Sequence, residues 1–407
     1  MGTSGRRGRR RLLLAGAVLL GYAVGCAPGG DGPAPARTSS SASSSASSSA
    51  SAPATGTPAP NAPTASGASS APAVRAAACE VPLPEAWRGA FAAGEFRPAS
   101  GRLPVLADVG AGWTALQLSG ADGRGAVLVR AGETTPRTLL RFADPVEHQL
   151  LAADFDGRRW AAFAVLEGRT LDSPWSLYVW DATTGKARRL ARAERPGPLP
   201  RPVVRDGTVV WAQGTGAGKA GVLAAPAGGG PTRAWHTGVV DTPFAAGGLL
   251  VWRESAGGGT RLAAVSLADG RPARLPAPIA ALRDVRGLVS DGTTWAWVAG
   301  EADPRLMVWR TGEARPVAVV AGSPAADGMD QLRIAGRLVT WRTPQTSYAL
   351  DLDADAYTVL TPAYGYAAAS GSGLARAYSL GDAKETGARA VIQVVDANRL
   401  PRLPGCG

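Results

Sequence analysis

The sequence predicts an all-β fold over residues 78–407, a β-propeller of about seven four-stranded blades. The main observation is a repeat in which a glycine is followed within five residues by an aromatic residue. The repeated glycines stand 37 to 50 residues apart, the period of four-stranded propeller blades. Six and eight blades are the alternatives, because the first and last copies are blurred. The copies are Gly112/Trp113, Gly157/Trp160, Gly207/Trp211, Gly247/Trp252, Gly292/Trp295, Gly336/Trp341 and Gly373/Tyr378.

The second half of each repeat is an alternating strand followed by a polar turn that contains Asp or Gly. The clearest copy is 177–186 (LYVWDATTGK), and 262–271, 351–355 and 394–398 repeat it. Short strands bounded by such turns, without an apolar period of helix length, indicate an all-β chain. These segments resemble the blades of TolB-like and WD-repeat-like propellers of bacterial envelope proteins. The resemblance implies an architecture, and no particular activity follows from it.

Residues 1–25 have the charged, apolar and small-residue regions of an export signal. Five arginines and no acid occupy residues 1–11, residues 12–24 carry no charge, and Cys26 follows. This order resembles a bacterial lipoprotein signal, in which Cys26 becomes the lipid-modified first residue of the mature chain. The position three before it holds Ala23 instead of the usual Leu. The resemblance implies a chain anchored by lipid to the cell membrane, on the extracytoplasmic side.

Two alternatives to lipidation remain open at the N-terminus. One is an ordinary secretory signal with a leftover cysteine, and the other is an uncleaved anchor. The apolar run of about 13 residues is shorter than the roughly 20 that a spanning helix needs, which disfavours the anchor. Residues 9–13 (RRRLL) resemble a twin-arginine signal, so the export route is also open.

Residues 26–77 predict a disordered tether. They consist almost entirely of Ser, Ala, Pro, Thr and Gly and contain no aromatic residue. Such a segment cannot bury enough apolar area to offset the entropy lost on ordering. Its ends would lie about 40 Å apart on average, which would hold a folded domain off the membrane.

The charge distribution restricts the class of partner, and the number of cysteines bears on disulfide formation in an exported domain. The formal charge of +11 falls to +6 without the five signal arginines, and no other basic run occurs. Nucleic-acid binding needs a clustered basic patch, so we expect none. With Cys26 lipidated, Cys79 and Cys406 remain, and an even pair in an exported domain predicts a disulfide. We expect this bridge to fasten the two ends of the domain where the ring closes, with the alternative of two free thiols.

The sequence offers no residues that we assign to catalysis, a metal or a cofactor. The two histidines, His148 and His236, lack a metal-ligand spacing. An EF-hand reading of 351–355 fails because Ala356 and Pro362 stand where the loop needs Gly and Glu. We therefore read 351–355 and 154–157 as turns. The repeated tryptophans are expected in the blade interiors. Trp87, Trp175 and Trp235 lie outside the repeat and are the better candidates for exposed anchors, although packing under a loop also accounts for them.

Two functional hypotheses follow. The first is a monomeric, non-enzymatic binding or scaffolding module, anchored to the membrane, with an envelope protein or a glycan as its partner. The second is an extracytoplasmic hydrolase or lyase with a site at the mouth of the propeller channel. Two or more carboxylates and an arginine converging in the channel would favour the enzyme. A channel lined by Ala, Gly and Ser would favour the binding module.

Overall fold

The computed structural model describes residues 77–96, 105–107, 112–120, 123–133, 135–194, 197–216, 218–256, 259–283, 285–380 and 389–406. The predicted signal, the lipidation site Cys26 and all but the last residue of the predicted tether lie outside these residues. Among the described residues, no helix is long and apolar enough to cross a membrane. The described chain begins with β1 (Cys79–Glu80), α1 (Glu85–Ala93) and β2 (Glu95–Phe96).

Seven blades follow, and the predicted propeller is confirmed. Within a blade, strands that are consecutive in sequence pair antiparallel, so the chain passes from an inner strand outwards. The first blade holds β3 (Val105–Ala107), β4 (Trp113–Gly120), β5 (Gly123–Arg130) and β6 (Arg137–Arg141). The second holds β7 (His148–Phe155), β8 (Trp160–Glu167), β9 (Trp175–Asp181) and β10 (Lys186–Ala193), and the third holds β11 (Val203–Arg205), β12 (Thr208–Gly216), β13 (Lys219–Pro226) and β14 (Arg233–Val240).

The fourth blade is the irregular one. It has the strands β15 (Phe244–Ala246), β16 (Leu249–Ala256) and β17 (Gly259–Ser266), and then a single bridge from Val265 to Pro272 instead of an outer strand. Pro272 and Pro276 lack the backbone N–H that a ladder needs, which explains the short outer edge. The end of β14 also pairs with β16, so the third and fourth blades form one continuous sheet. The short helix α2 (Ala277–Ala280) leads into the fifth blade.

The last three blades bring the two ends of the chain together. The fifth holds β18 (Arg286–Ser290), β19 (Thr294–Ala299), β20 (Arg305–Arg310) and β21 (Val317–Val320). The sixth holds β22 (Asp330–Ala335), β23 (Leu338–Arg342), β24 (Ser347–Asp351) and β25 (Ala356–Val359), and the seventh holds β26 (Tyr366–Ser370), β27 (Gly373–Leu380) and β28 (Arg389–Asp396). A 3₁₀ turn, Ala397–Arg399, begins the C-terminal tail.

The repeated glycine forms the turn between the first and second strands of each blade. In the first six copies this glycine has a positive φ, for example 77° at Gly112 and 101° at Gly292. In the seventh copy the left-handed residue is Gly371, with a φ of 59°, and not the predicted Gly373. The repeated tryptophans lie on the second strands and most are buried, as expected; Trp211, Trp252, Trp295 and Trp341 are each 1% exposed, whereas Trp160 is partly buried.

Two of these turns, at Gly247 and Gly292, contact each other closely. The contact predicts that a larger residue at Gly292 destabilises the fold. A Cβ atom added to Gly292 would lie 2.7 Å from the Cα atom of Gly247 in the next blade. We expect Gly292→Ala to lower the free energy of unfolding by about 2 kcal/mol, because backbone strain and a clash add.

Gly312→Ala is the matched control for this prediction. Gly312 has a φ of 97° but no atom within 4 Å of its added Cβ, so only the backbone strain remains there. Its expected cost is about 1 kcal/mol. Denaturant unfolding of both variants measures the difference, and equal losses would show that the contact between the two turns adds nothing.

The N-terminal segment closes the ring as the outer strand of the seventh blade. In this blade β2 pairs antiparallel with β28, with Glu95 opposite Gln393. Helix α1 supports the closure, because Trp87 and Phe91 lie one turn apart on its buried face. The guanidinium carbon of Arg376 lies 3.9 Å from the centre of the Phe91 ring, and its Nε donates to Gln393. The ring is thus closed by backbone hydrogen bonds between the two ends of the chain.

The disulfide joins Cys79 to Cys406, with 5.8 Å between their Cα atoms. It lies at the outer edge of the sixth blade, because β1 runs parallel to β25 there, with Cys79 beside Ala356. We expected it at the point where the ring meets itself. The strand β2 closes the ring there instead. The disulfide joins β1, which precedes α1 and β2, to the C-terminal tail that follows β28.

A buried carboxylate also holds the C-terminal tail. Asp351 has a fully buried side chain, and its Oδ2 accepts from Arg337 Nε at 3.0 Å and from Leu403 N at 3.0 Å. Arg337 also donates to the carbonyl of Leu400, and Trp87 Nε1 donates to the carbonyl of Pro401 at 2.8 Å. Hydrogen bonds from the sixth blade and from helix α1 therefore both hold the C-terminal tail in place.

Candidate functional site at the channel mouth

The inner strands of the blades surround a narrow central channel. We call the face on which these strands begin, at residues such as His148, Asp330 and Tyr366, the upper face, and the opposite face the lower face. The channel contains a cavity of about 160 Å³. Its lining is mostly small or apolar, with Asp154, Arg201 and Arg333 as the charged exceptions; the other residues include Ala152, Ala153, Val203, Phe244, Ala245, Val289, Ser290, Ile334, Ala369 and Ser370.

The one carboxyl group among these lining residues accepts hydrogen bonds from the backbone. Asp154 Oδ2 accepts from Val204 N of the third blade at 2.7 Å, and Oδ1 accepts from Phe155 N at 3.0 Å. Burial raises the pKa of Asp154. Its position corrects the sequence analysis, which placed it in a turn, since Asp154 belongs to β7. Asp156 does cap that turn, and its Oδ1 accepts from three backbone N–H groups.

Four polar residues form a cluster at the upper end of the channel, which we call the mouth cluster: Asp330, Arg333, Arg342 and Tyr366. Asp330 stands opposite Arg342 where β22 and β23 pair. Tyr366 begins β26 of the next blade, and its ring centre lies 5.8 Å from the guanidinium carbon of Arg342. The cluster therefore spans the sixth and seventh blades.

The buried atoms Oδ1 of Asp330 and Nε of Arg342, both in the mouth cluster, have no hydrogen-bond partner among the described residues. Burial raises the pKa of Asp330, with Arg342 and Arg333 acting in the opposite direction. Burial also raises the pKa of Tyr366 to about 12, so this phenol stays protonated at neutral pH. A buried polar atom without a partner costs about 1–3 kcal/mol, and a ligand that supplied the missing hydrogen bonds would recover it.

Backbone strain is found at the same place. Gln331 and Tyr364 are two of the four non-glycine residues with positive φ in the described chain, at 49° and 62°. Each such residue costs on the order of 1–3 kcal/mol, and strain of this kind is found at binding and switch sites. Gln331 follows Asp330 directly, and Tyr364 lies two residues before Tyr366. The strained positions thus flank the mouth cluster on both blades.

The upper face also carries the exposed large apolar side chains of the described residues. Tyr364 is 60% exposed, Val146 51%, Val239 50% and Leu380 48%. Val146 precedes the inner strand β7, Val239 lies near the end of β14, and Leu380 ends β27. Each of these positions is on the upper face by strand direction. The polar mouth cluster therefore lies on the face that carries these apolar contacts.

The structure does not bring the two histidines together. His148 Nδ1 lies 3.0 Å from the carbonyl of Asp144, and its ring stacks on Phe142. His236 lies on β14, where its Nε2 is 2.6 Å from Glu254 Oε1. They are on different blades, and each takes part in local packing.

Residues 352–355 of the acidic segment form a turn, as predicted, whereas Asp351 is the last residue of β24. Asp351 binds Arg337 and the tail, and Asp353 forms exposed ion pairs with Arg310 and Arg402. Among the described residues, no group of three or more His, Cys, Asp or Glu side chains could hold a metal ion. Of the three candidates for exposed anchors, Trp87 and Trp175 are buried, at 0% and 1% exposure, which agrees with the alternative of packing, and Trp235 is partly buried.

No pattern in the sequence predicts the mouth cluster. Its members come from three strands of two blades, so no local motif unites them. A weak signal is present, because Asp330, Arg333 and Arg342 are the charged residues of two strands in which most other residues are apolar. Charged side chains in the innermost hairpin of a propeller face either the channel or a neighbouring blade, and that consideration could have singled them out.

Comparison with known proteins supports the fold. A solved structure from a study of two prolyl endopeptidases aligns with a TM-score of 0.51 at 15% identity, over 79% of this chain and 50% of that one. The β-propeller domain of the Trilobed protease from Pyrococcus furiosus aligns at 0.49 and 10% identity, over 72% and 96%. TolB from Acinetobacter baumannii aligns at 0.40 and 12% identity, over 64% and 63%.

The strand pairing itself shows the seven blades, and the first of these likenesses supports the fold and nothing finer. The chain spans half the length of the prolyl endopeptidase that it matches. No protein-family model matches the chain, and neither does any curated protein.

Proposed function

We propose that this protein is a lipid-anchored, extracytoplasmic β-propeller that binds a partner through its upper face, without catalysing a reaction. The mouth cluster is the observation that carries the proposal. It offers a buried acceptor atom, Asp330 Oδ1, and a buried donor, Arg342 Nε, that lack partners among the described residues. Recognition sites have this character, with a few polar groups converging on a rigid frame.

The channel lining favours binding over hydrolysis or elimination. An enzyme of the second class would need two carboxylates and an arginine in reach of one substrate. Asp330 is the one carboxyl group of the mouth cluster, and both oxygens of Asp154 accept backbone N–H groups. Tyr366, with a pKa of about 12, donates a hydrogen bond more readily than it removes a proton. Alanine, serine and valine side chains make up much of the remaining lining.

The proposed location follows from the N-terminal sequence. Lipid on Cys26 would hold the chain at the outer surface of the cytoplasmic membrane, and the tether of residues 26–77 would hold the propeller about 40 Å from it on average. We expect Cys26→Ser to release the protein from the membrane fraction into the soluble one. Retention of the variant on membranes would contradict the anchor while leaving the binding proposal standing.

Site-specific photo-crosslinking tests the binding proposal. The variant Tyr364→p-benzoylphenylalanine places a photoreactive ring of similar shape on the upper face, where Tyr364 is 60% exposed. The same replacement at Arg271, whose side chain is 85% exposed on the lower face, is the control. We expect irradiation of intact cells to give a discrete adduct from position 364 alone. Adducts from position 271 alone, or equal adducts from both positions, would contradict binding at the upper face.

A further inference from the structure

The fourth blade leaves the outer edge of its third strand open. In the other six blades a fourth strand pairs with the third one. In the fourth blade β17 pairs with β16 on its inner side, and on its outer side it forms only the bridge from Val265 to Pro272. The edge of β17 from Gly259 to Leu262 therefore has no neighbouring strand within the described part of the chain.

Hydrogen bonds at the lower end of β17 show which of its backbone groups point outwards. The carbonyl of Ala264 accepts from Ala273 N at 3.0 Å, on the side away from β16. The N–H and C=O groups of every second residue in an antiparallel strand point to the same edge, so those of Thr260 and Leu262 also point outwards. No described backbone group binds them there. They are free to pair with the backbone of an added strand.

The open stretch is long enough for a short outer strand. Gly259, Thr260 and Arg261 are exposed, and Leu262 is partly buried. The outer strands of the fifth and sixth blades, β21 and β25, have four residues each. A segment of about that length can therefore complete the fourth blade.

One face beside the open edge is apolar. Leu262, Ala273 and Leu275 pack against the core that contains Val251 of the fourth blade and Trp295 of the fifth. Successive side chains of a strand point to opposite faces, so every second residue of an added strand would extend this apolar surface. Valine and isoleucine suit those positions.

The other face beside the open edge is basic. Arg261 and Arg274 lie there by alternation, because Leu262 and Leu275 point to the apolar face. Arg261 pairs with the buried Glu254 at 3.1 Å, and its own side chain is 64% exposed. Arg274 is exposed and forms no ion pair with a described residue. An acidic residue on the neighbouring strand is favoured beside these groups, and a basic one is disfavoured.

We infer that an extended segment of a partner polypeptide, with alternating acidic and apolar residues, adds to β17 as the outer strand of the fourth blade. Its backbone pairs with Thr260 and Leu262, its acidic side chains lie beside Arg261 and Arg274, and its apolar side chains lie beside Leu275. This surface is on the outer wall of the ring, apart from the mouth cluster. The inference goes beyond the proposed function and does not rest on it.

Charge and composition favour a partner over the chain itself as the source of this strand. A second copy that paired through the same edge would bring its own Arg261 and Arg274 to the same place, and like charges would meet. The predicted tether, residues 26–77, holds a single acid, Asp31, and no leucine or isoleucine. Neither supplies alternating acidic and apolar side chains.

Calorimetric titration of the full-length, detergent-solubilised protein with three peptides tests the inference. The first peptide, acetyl-Thr-Val-Glu-Val-Glu-Val-Thr amide, has the inferred alternation. The second has lysine in place of both glutamates, and the third has proline in place of the central valine, which removes a backbone N–H. We expect the first to bind and the other two to bind at least about tenfold more weakly. No binding of the first peptide, or equal binding of either control, would overturn the inference.

Two variants with matched controls locate the peptide. Thr260→Pro removes an outward N–H and no bond to β16, so we expect at least about tenfold weaker binding, whereas Thr260→Val keeps the N–H and the affinity. Arg274→Glu should weaken binding about fivefold, and Arg158→Glu, in an exposed turn of the second blade, should not. Thermal unfolding shows which variants fold, and Arg274→Glu decides if Thr260→Pro does not. Unchanged affinity in the folded variants would place the site elsewhere.

Amide hydrogen exchange gives a second readout of the same contact. We expect the first peptide to slow exchange in β17, where the N–H groups of Thr260 and Leu262 point outwards, and not in the outer strand β10 of the second blade. Equal exchange in β17 with and without bound peptide would contradict strand addition.

Sedimentation and crosslinking separate this inference from its alternatives. A dimer of the unaltered protein that dissociates in Thr260→Pro would overturn the partner segment in favour of a second copy. We expect excess acidic peptide to leave the crosslinked adduct from position 364 intact, and loss of that adduct would overturn a separate surface. If position 364 gives no adduct while the peptide still binds at β17, the proposed function fails and the present inference stands.

Discussion

Replacing Asp351 by alanine is expected to lower the free energy of unfolding by about 4 kcal/mol. The Asp351 side chain is fully buried, and that of Arg337, its ion-pair partner at 3.0 Å, is 18% exposed. Removing one member of a buried pair leaves the other charge uncompensated, which costs about 3–5 kcal/mol. The N–H of Leu403 loses its acceptor in the same substitution. Urea unfolding of the purified protein, followed by tryptophan fluorescence, measures the change.

Asp353→Ala is the matched control, two residues away in the same turn. Asp353 forms ion pairs with Arg310 and Arg402, and its own side chain is 31% exposed. Exposed pairs of this kind are worth about 0–1 kcal/mol, so the control should lose little. A loss of unfolding free energy below about 1 kcal/mol for Asp351→Ala, or equal losses for the two variants, would mean that the contacts of Asp351 with the C-terminal tail do not stabilise the ring.

Removing the disulfide is expected to cost still more, up to about 5 kcal/mol. The bridge closes a loop with a sequence separation of 327 residues, and a loop of that length greatly restricts the unfolded chain. The figure is an upper value, because a compact unfolded chain already loses part of that freedom. The double variant Cys79→Ser with Cys406→Ser avoids a lone reactive thiol. Urea unfolding with and without a reductant measures the effect.

The reductant supplies the internal control for this prediction. It should lower the stability of the unaltered chain to that of the double variant, and it should not affect the double variant itself. A loss below about 1 kcal/mol would show that β2 and the buried contacts of the tail close the ring without covalent help. Together with Asp351→Ala, this measurement compares how much the covalent bridge and the noncovalent contacts of the tail each contribute to the free energy of unfolding.

The sequence predicts the propeller blades of this molecule well because the blades repeat. A left-handed turn needs glycine in each blade, and a buried second strand needs a large side chain, so Gly292 and Trp295 recur as a pattern. The cysteine pairing was also accessible from counting alone. Its position was not, because β1 and β2 are only two residues long and carry no alternation that marks a strand.

The candidate site was invisible for a related reason. Asp330, Arg342 and Tyr366 meet only because two adjacent blades bring their inner strands together, and each residue alone reads as an ordinary polar interruption. Asp154 shows the converse error. Its neighbours Asp156 and Gly157 form a turn, and the sequence pattern places Asp154 in that turn too. In the structure Asp154 is the next-to-last residue of the inner strand, and it binds the next blade. Repetition determines the strands, but side chains from different blades determine the site.

Crosslinking from position 364, repeated in the presence of Arg342→Glu, tests the central claim most directly. Arg342 belongs to the mouth cluster, whereas Arg271 lies on the lower face with an 85% exposed side chain, so Arg271→Glu is the control for the charge change. We expect the adduct from position 364 to disappear with Arg342→Glu and to persist with Arg271→Glu, both variants being folded by their thermal transitions. An adduct of undiminished yield with Arg342→Glu would contradict recognition through the channel mouth.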